Sequence, residues 1–217
     1  MTPAGVAAPA VVFDLFGVIA HTQSPAGQAR ILAAAGCDGE QGDAFWTAYW
    51  NLREPYDCGR VSASDYWRAV AGELGIAFTP KRIADLIEAD GASWRTVDPA
   101  MIGLIESLAA SGLTIGLLSN IPAELADEFE QRHSWLRLMA SVGFSCRIGR
   151  AKPDPAVFAW CTRSLGLAAQ DILFFDDRAE NVAAAQAAGM QGHLFTGIES
   201  ATDTIMRVTG KSHSGNR

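Results

Sequence analysis

Short apolar runs alternate with helix-like stretches along most of this chain. The runs occupy residues 10–16, 113–119, 140–146, 171–176 and 192–196. Each run is short and lacks a clean period of two, which is typical of strands that are buried on both faces. Strands that alternate with helices form a parallel sheet with helices on both of its faces. The sequence therefore predicts an α/β fold built on a doubly wound parallel sheet.

Helix-start and helix-stop residues mark the stretches between the later runs. Residues 98–112 and 154–166 each begin with Asp-Pro and end at Gly, and residues 179–189 also end at Gly. Asp is a good N-cap, Pro is favoured at the first helical position, and Gly is favoured just past the last one. We therefore predict a helix in each of the three stretches.

Residues 20–96 interrupt the alternation. They contain four consecutive helix-like stretches with no strand-like run between them: PAGQARILAAAG, DAFWTAYWNL, SASDYWRAVAGELG and PKRIADLIEAD. The simplest arrangement is a small helical cap inserted after the first strand. Ligands of open parallel sheets bind beyond the carboxyl ends of the strands, so this cap would lie over a site there. We predict a core domain of residues 1–19 and 97–217 and a cap domain of residues 20–96.

Charge and cysteine usage argue against several classes of partner. The 217 residues carry a formal net charge of -7, and the 17 basic residues form no dense cluster, which argues against a nucleic-acid or anionic-membrane partner. The 4 cysteines form no CxxC pair, which is typical of free thiols in a reducing cytosol. No apolar run approaches transmembrane length, and the N-terminal residues lack the basic region of a signal peptide. We expect a cytoplasmic protein and leave its oligomeric state open.

Polar side chains stand at the ends of the predicted strands or in the loops that follow them. They are Asp14 after the first run, Ser119 and Asn120 after the second, Lys152 in a later loop, and Asp176 and Asp177 after the fourth. A single Asp at a strand end is usually a helix cap, but parallel strands bring all these positions to one edge. A carboxylate can attack phosphorus when the phosphoryl charge is neutralised. The hydroxyl, backbone amide and ammonium groups suit phosphoryl oxygens, and the carboxylates suit Mg²⁺.

These motifs resemble those of the haloacid dehalogenase-like (HAD) superfamily. The matching stretches are VVFDLFGV, GLLSN, GRAKPDPAVF and ILFFDDRAENVAAAQAAGM, in that order. The resemblance covers roughly residues 10–197, and the helical insert is similar to the small helical cap of the family. Residues 56–67, YDCGRVSASDYW, resemble a cap segment of one branch. That branch contains bacterial α-D-glucose-1-phosphate phosphatases and the phosphatase domain of soluble epoxide hydrolases.

The resemblance implies a Mg²⁺-dependent hydrolase, in particular a phosphatase of a small phosphorylated metabolite. Asp14 would be the nucleophile that becomes an aspartyl-phosphate. Ser119, Asn120 and Lys152 would bind the phosphoryl group, and Lys152 would also take part in catalysis. The metal ligands implied are Asp14, the Phe16 carbonyl, Asp176 and Asp177. In the cap, Arg53, Tyr56 and Asp57 stand at the turn before GRVS and are predicted to face the substrate.

Phe16 departs from the usual pattern of the family. Most of its phosphatases carry Asp at this position, which protonates the leaving group and then activates water, and such help typically contributes ~10²–10⁴-fold. Some relatives in the glucose-1-phosphatase branch also lack this acid, and Asp57 or His21 is a candidate to replace it here.

Two other interpretations stay open. One is a 2-haloacid dehalogenase-type hydrolase that uses Asp14 without a metal, and the other is a non-catalytic binding module of the same fold. The adjacent carboxylates of Asp176 and Asp177 favour the phosphatase over the dehalogenase, because they would repel each other strongly without a cation.

Overall fold

A computed structural model describes residues 9–37 and 39–210 of the chain. Within these residues there are five strands: β1 (Ala10–Phe13), β2 (Ile115–Ser119), β3 (Ser141–Phe144), β4 (Ile172–Asp176) and β5 (Gln191–Leu194). All neighbouring strands are parallel, and their order in the sheet is β3-β2-β1-β4-β5. The predicted α/β fold is confirmed, and each strand lies in or overlaps a predicted apolar run.

Strand β1 shows why these apolar runs have no polar face. Val11 and Phe13 pack into the hydrophobic cluster on one side of the sheet, and Ala10 and Val12 pack into the cluster on the other side. Successive side chains of a strand point to opposite faces. Because helices cover both faces, every position of the strand is buried.

Several of the helices that cover the sheet begin and end at the start and stop residues seen in the sequence. The covering helices are α6 (Pro99–Ala110), α7 (Ala123–Arg132), α8 (Ser145–Ile148), α9 (Pro155–Leu165), α10 (Ala179–Ala187) and α11 (Ile198–Thr209), with 3-10 turns at Ser134–Leu138 and Ala169–Asp171. Asp98 and Asp154 cap α6 and α9, since their side chains accept hydrogen bonds from the backbone N–H groups two residues on. Helices α6, α9 and α10 confirm the three predicted ones.

The named elements that the structure describes between β1 and α6 are all helices. The elements are α1 (Pro25–Ala35), α2 (Glu40–Asn51), α3 (Arg53–Asp57), α4 (Ala63–Glu73) and α5 (Pro80–Trp94). Their buried residues form a hydrophobic cluster of their own, in which Phe45, Tyr49 and Trp67 are fully enclosed. We refer to residues 20–96 as the cap, and its status as a separate domain stays a prediction.

The register of the central strands brings the ends of β1, β2 and β4 to one level. Phe13, the last residue of β1, pairs with Leu117 of β2 on one side and with Phe175 of β4 on the other. Asp14 therefore emerges between the two strands that lead to Ser119 and Asp176. The connections into and out of the cap run side by side here, joined by an isolated bridge between Ala20 and Val97.

No helix in the described part of the chain combines the length and the apolar character needed to span a bilayer.

Candidate active site

Lys152 lies between two carboxylates at the carboxyl edge of the sheet. Its Nζ is 2.8 Å from Asp14 Oδ1 and 2.6 Å from Asp176 Oδ2. All three side chains are buried, with Asp14 only 6% exposed. The backbone N–H of Leu15 donates to Asp14 Oδ1 at 2.6 Å, which fixes the orientation of this carboxylate. The structure thus brings together three of the predicted site residues.

Asn120 connects the end of β2 to the loop that carries Lys152. Its Oδ1 accepts from the backbone N–H of Lys152, and its Nδ2 donates to the Lys152 carbonyl, both at 2.8 Å. The Asn120 side chain therefore positions the lysine. Ser119 is buried beside it, and its hydroxyl makes a long contact of 3.4 Å with the Asn120 carbonyl.

Asp176 is enclosed by hydrogen-bond donors from the start of α10. Asn181 Nδ2 donates to both of its oxygens, at 3.0 and 3.1 Å, and the backbone N–H of Arg178 donates to Oδ1 at 2.9 Å. Sequence reasoning missed Asn181. The signal that could have found it is its place on the first turn of the helix, five residues after Asp176, where a helix folds back over the strand end.

Asp177 approaches the loop after β1. A Cβ atom added to Gly17 would lie 2.1 Å from Asp177 Oδ2, and Gly17 has a φ of +84°. Both facts require glycine at this position, because other residues rarely adopt this backbone and would collide with the carboxylate. Asp14, Asp176 and Asp177 each offer one oxygen, and these atoms lie within 4.8 Å of one another. The residues present therefore fit a hard, oxygen-loving cation such as Mg²⁺.

The electrostatics of the cluster also favour a bound cation. Burial raises the pKa of the Asp14 carboxyl to about 7 against the opposing effect of Lys152, and the charge of Asp176 adds to the rise. Burial and the charge of Asp176 likewise raise the pKa of Asp177. Burial alone would lower the pKa of Lys152, but the charges of Asp14 and Asp176 outweigh it and raise that pKa. A positive ion among these acids would favour their ionised forms.

Phe16 turns its ring toward hydrophobic neighbours. The ring is half-buried and packs against Trp94 of the cap at 4.9 Å and against Phe129 of α7 at 5.9 Å, measured between ring centroids. The side chain thus links the first loop to both α5 and α7. Its backbone carbonyl remains in the loop that carries Asp14.

Arg53 lies inside the cap and not in the Asp14 cluster. Its Nε is 2.8 Å from Asp57 Oδ1, its Nη1 is 2.8 Å from Asp90 Oδ2, and Nη1 also donates to the Tyr49 hydroxyl. Arg53, Asp57 and Asp90 are all buried. The guanidinium therefore takes part in a buried ion-pair network. One of its two ion-pair partners, Asp90, is distant in sequence, because it belongs to α5.

Tyr56 contacts the core instead of the Asp14 cluster. Its buried ring stacks on Tyr66, and its hydroxyl donates to Glu124 at the start of α7, at 3.3 Å. Asp57 makes a second contact between cap and core, because its carbonyl accepts from the Ser145 hydroxyl at 2.5 Å. These contacts hold the cap against the carboxyl edge of the sheet, which is where the ligands of parallel sheets bind.

Comparison with known sequences identifies relatives of this chain. The sequence pattern of the haloacid dehalogenase-like hydrolases matches residues 8–189. A sesquiterpene phosphatase of Aspergillus oryzae is 26% identical over 186 residues, covering 85% of this chain and 89% of that protein. A phosphatase of Mycobacterium tuberculosis is 26% identical over 201 residues, covering 91% of this chain and 92% of that protein.

Solved structures share the fold. A HAD family enzyme of Bacteroides thetaiotaomicron superposes with a TM-score of 0.70 at 15% sequence identity, covering 86% of this chain and 92% of that one. At this level of sequence identity, the similarity shows that the helices and strands have the same arrangement, and it shows nothing about activity.

Proposed function

This chain belongs to the haloacid dehalogenase-like hydrolases, and from that premise we propose that it is a Mg²⁺-dependent phosphatase that acts on a small phosphorylated metabolite through Asp14. It is a hydrolase with phosphatases among its relatives. The observation that carries the proposal is the placement of Lys152 Nζ between Asp14 and Asp176, beside a third carboxylate, Asp177. One ammonium group within an acidic cluster suits a phosphoryl group that arrives together with a cation.

In the first step an Asp14 carboxylate oxygen attacks phosphorus. A bond forms between this oxygen and phosphorus, the bond from phosphorus to the ester oxygen breaks, and the leaving group departs with the electron pair as an alkoxide or phenolate, which becomes the alcohol on gaining a proton. Lys152, already 2.8 Å from Asp14, would hold a phosphoryl oxygen, together with the Ser119 hydroxyl and the Asn120 backbone N–H. Mg²⁺ bound by the carboxylates and the Phe16 carbonyl would supply the positive charge that offsets the phosphoryl oxygens.

In the second step water attacks the phosphorus of the aspartyl-phosphate. The bond to Asp14 breaks, the carboxylate is regenerated, and inorganic phosphate leaves. This step and the departure of the alcohol both need a proton transfer, for which position 16 offers no acid. Neither substitute is held at the site by a described contact, since Asp57 pairs with Arg53 and His21 is exposed. We therefore expect leaving groups that depart without protonation to be hydrolysed best.

The proposed phosphoryl site does not include Arg53 and Tyr56, because their polar atoms have other partners. The Nε and Nη1 atoms of Arg53 contact Asp57, Asp90 and Tyr49, and the Tyr56 hydroxyl donates to Glu124. Their structural role is to stabilise the cap and its contact with α7.

Hydrolysis of p-nitrophenyl phosphate tests the proposal, because p-nitrophenolate is a good leaving group. The wild-type protein is expected to release p-nitrophenolate slowly when Mg²⁺ is present and to stop when EDTA is added. The matched assay supplies a 2-haloacid without metal and measures halide. Halide release without phosphatase activity would overturn the proposal in favour of a dehalogenase, and inactivity in both assays would favour a binding module.

Substitution of Phe16 by Asp tests the missing acid, with Phe16→Asn as the matched control of the same size. Phe16→Asp is expected to raise kcat on a simple alkyl phosphate by ~10²-fold or more over Phe16→Asn, because only Asp can transfer a proton. Both variants lose the ring contacts with Trp94 and Phe129, so this loss cancels in the comparison. Equal rates for the two variants would show that position 16 does not deliver the proton.

A further inference from the structure

The Ser145 hydroxyl joins the cap to the loop that follows β2, and we infer that Ser145 is a positioning residue for phosphoryl binding. The inference rests on the proposed phosphatase site, in which Ser119 and the backbone N–H of Asn120 hold phosphoryl oxygens. Ser145 acts through Ile121, the residue that follows Asn120, and not by contact with the substrate. The place of the cap and the place of these phosphoryl donors are thereby coupled.

The sheet places Ser145 beside the loop after β2. Ser145 follows Phe144, the last residue of β3, and Phe144 pairs with Ser119 at the end of β2. Ser145 is only 1% exposed. The backbone N–H of Ile121 donates to Ser145 Oγ at 2.8 Å. This hydrogen bond therefore fixes the backbone directly after Asn120.

The hydroxyl hydrogen of Ser145 is directed at the cap. A hydroxyl has one hydrogen to donate and two lone pairs with which to accept. Two carbonyl oxygens compete for this hydrogen, that of Asp57 at 2.5 Å and that of Ile121 at 3.3 Å. The usual O–H···O distance is about 2.5–3.0 Å, so the hydrogen is donated to the cap carbonyl. If the cap carbonyl moved away, the described acceptor that remains would be the poorly placed carbonyl of Ile121.

Asp57 extends this connection into the interior of the cap. Its Oδ1 lies 2.8 Å from Arg53 Nε, and Arg53 also pairs with Asp90 of α5. Its carbonyl meanwhile accepts from Ser145. One residue of the cap thus binds both the buried ion-pair network and the core. The positions of α3 and α5 are therefore linked, through Ser145, to the backbone beside the phosphoryl site.

Gly59 makes a second close contact at the same turn of the cap. Its φ is +67°, and a Cβ atom added to it would lie 2.6 Å from the Cys146 carbonyl oxygen. Backbone cannot swing aside as the end of a flexible side chain can. The turn after α3 thus packs directly on the first two residues of α8, and this packing keeps the Asp57 carbonyl within reach of the Ser145 hydroxyl.

Ser145→Ala tests the inference, with Ser141→Ala as its matched control. Ser141 lies at the opposite end of β3, and its hydroxyl, also buried, pairs with Ser164 at 2.7 Å. Each variant therefore loses one buried hydroxyl with its hydrogen bonding. Inhibition of p-nitrophenyl phosphate hydrolysis by inorganic phosphate measures phosphate affinity at saturating Mg²⁺. We expect this affinity and kcat/KM to fall about tenfold in Ser145→Ala, because the phosphoryl donors are misplaced, and to stay within about twofold in Ser141→Ala.

The Kd for Mg²⁺ separates misplacement of the loop from general damage to the site. Calorimetry is expected to give Ser145→Ala a Kd within about twofold of the wild type, because the three carboxylates lie in other loops. Phosphate affinity that is unchanged in Ser145→Ala, or equally lowered in Ser141→Ala, would overturn the inference and leave the phosphatase proposal standing. A parallel loss of Mg²⁺ and phosphate affinity would also overturn it.

Gly59→Ala reaches the same contact from the cap and decides the question if Ser145→Ala fails to fold. Gly75→Ala is the matched control, because Gly75 has a φ of +66° but an added Cβ would meet no described atom within 4 Å. Both variants carry similar backbone strain, and only Gly59→Ala displaces the turn. We expect phosphate affinity about fivefold lower in Gly59→Ala than in Gly75→Ala, with little further loss when Ser145→Ala is added. Equal affinities in the two glycine variants would contradict the coupling.

Hydrogen exchange followed by mass spectrometry reads the coupling without any enzymatic activity. Gly59→Ala is expected to speed exchange in residues 119–122 severalfold, although these residues lie outside the cap, and Gly75→Ala is expected to leave it unchanged. A wild-type protein that neither hydrolyses the ester nor binds phosphate would overturn the phosphatase proposal. In that case exchange in residues 119–122 still decides whether the cap and the loop are coupled, and equal rates in the two glycine variants would show that they are not.

Discussion

Replacement of Asp14 by Asn is expected to lower kcat for p-nitrophenyl phosphate by about 10⁴-fold or more, because removal of a nucleophile abolishes the covalent route. The variant is expected to stay folded. Asn has nearly the same size and is neutral, and Lys152 keeps its contact with Asp176 at 2.6 Å. Initial rates and a thermal melt of the same samples measure both effects.

Asp171→Asn is the control for this experiment. Asp171 lies just before β4, at the opposite end of that strand from the site, so its loss is expected to leave the rate unchanged. If Asp14→Asn hydrolyses the ester as fast as the wild type, Asp14 is not the nucleophile. If the Asp14→Asn variant is inactive and also shows no cooperative thermal unfolding, the carboxylate is needed for folding.

Replacement of Lys152 by Met is expected to lower the free energy of unfolding by about 3–5 kcal/mol near pH 8, because two buried carboxylates lose their countercharge. Met retains most of the chain length, so the lost charge is the main change. Urea denaturation in EDTA measures this effect without interference from bound metal ions.

The pH dependence of the Lys152→Met defect has a definite sign. Burial already raises the pKa of Asp14 from 3.8 to about 7 in the folded protein, and loss of Lys152 raises this pKa further. A carboxyl whose pKa is raised on folding favours the folded state when protonated, and this contribution is lost as the pH rises toward the folded pKa. The loss of unfolding free energy caused by Lys152→Met is therefore expected to be smaller at pH 5 than at pH 8.

The double variant Lys152→Met/Asp14→Asn checks the cause. It removes one of the carboxylates that Lys152 neutralises, so it is expected to be more stable than Lys152→Met alone. The two substitutions should thus be clearly non-additive in a double-mutant cycle. Strict additivity, or a Lys152→Met variant as stable as the wild type at pH 8, would contradict the role of the lysine as the countercharge.

Local sequence patterns were sufficient to predict the strands of the sheet and the helices that have clear start and stop residues. Continuous apolar runs predicted all five strands, and Asp-Pro starts with Gly ends predicted α6 and α9. Helix α11 was not predicted, and its N-cap residue, Gly197, offers no side chain to mark where it begins. The short helix α3 was predicted only as a turn, because five residues are too few to show a helical period.

The site was predictable where strand order alone decides proximity. Asp14, Ser119 and Asp176 share an edge because β1 lies between β2 and β4. Contacts between side chains distant in sequence were not predictable in this way. Arg53 could not be assigned to the cap interior without Asp90, its partner 37 residues later. The collision that only glycine avoids, between position 17 and Asp177, is likewise visible only in three dimensions.

The position of β1 in the sheet has a consequence for biosynthesis. This strand leaves the ribosome before the other four described strands, yet it is flanked on both edges, by β2 from Ile115 and by β4 from Ile172. At about 5–20 residues per second, the roughly 160 residues between β1 and β4 take about 8–30 s to translate. During that interval Ala10–Phe13 has an unpaired edge and apolar side chains on both faces, which makes it prone to aggregation. The helices between residues 25 and 94 bury a cluster of their own, whereas the hydrogen bonds around Asp176 become complete only after Asn181 has emerged.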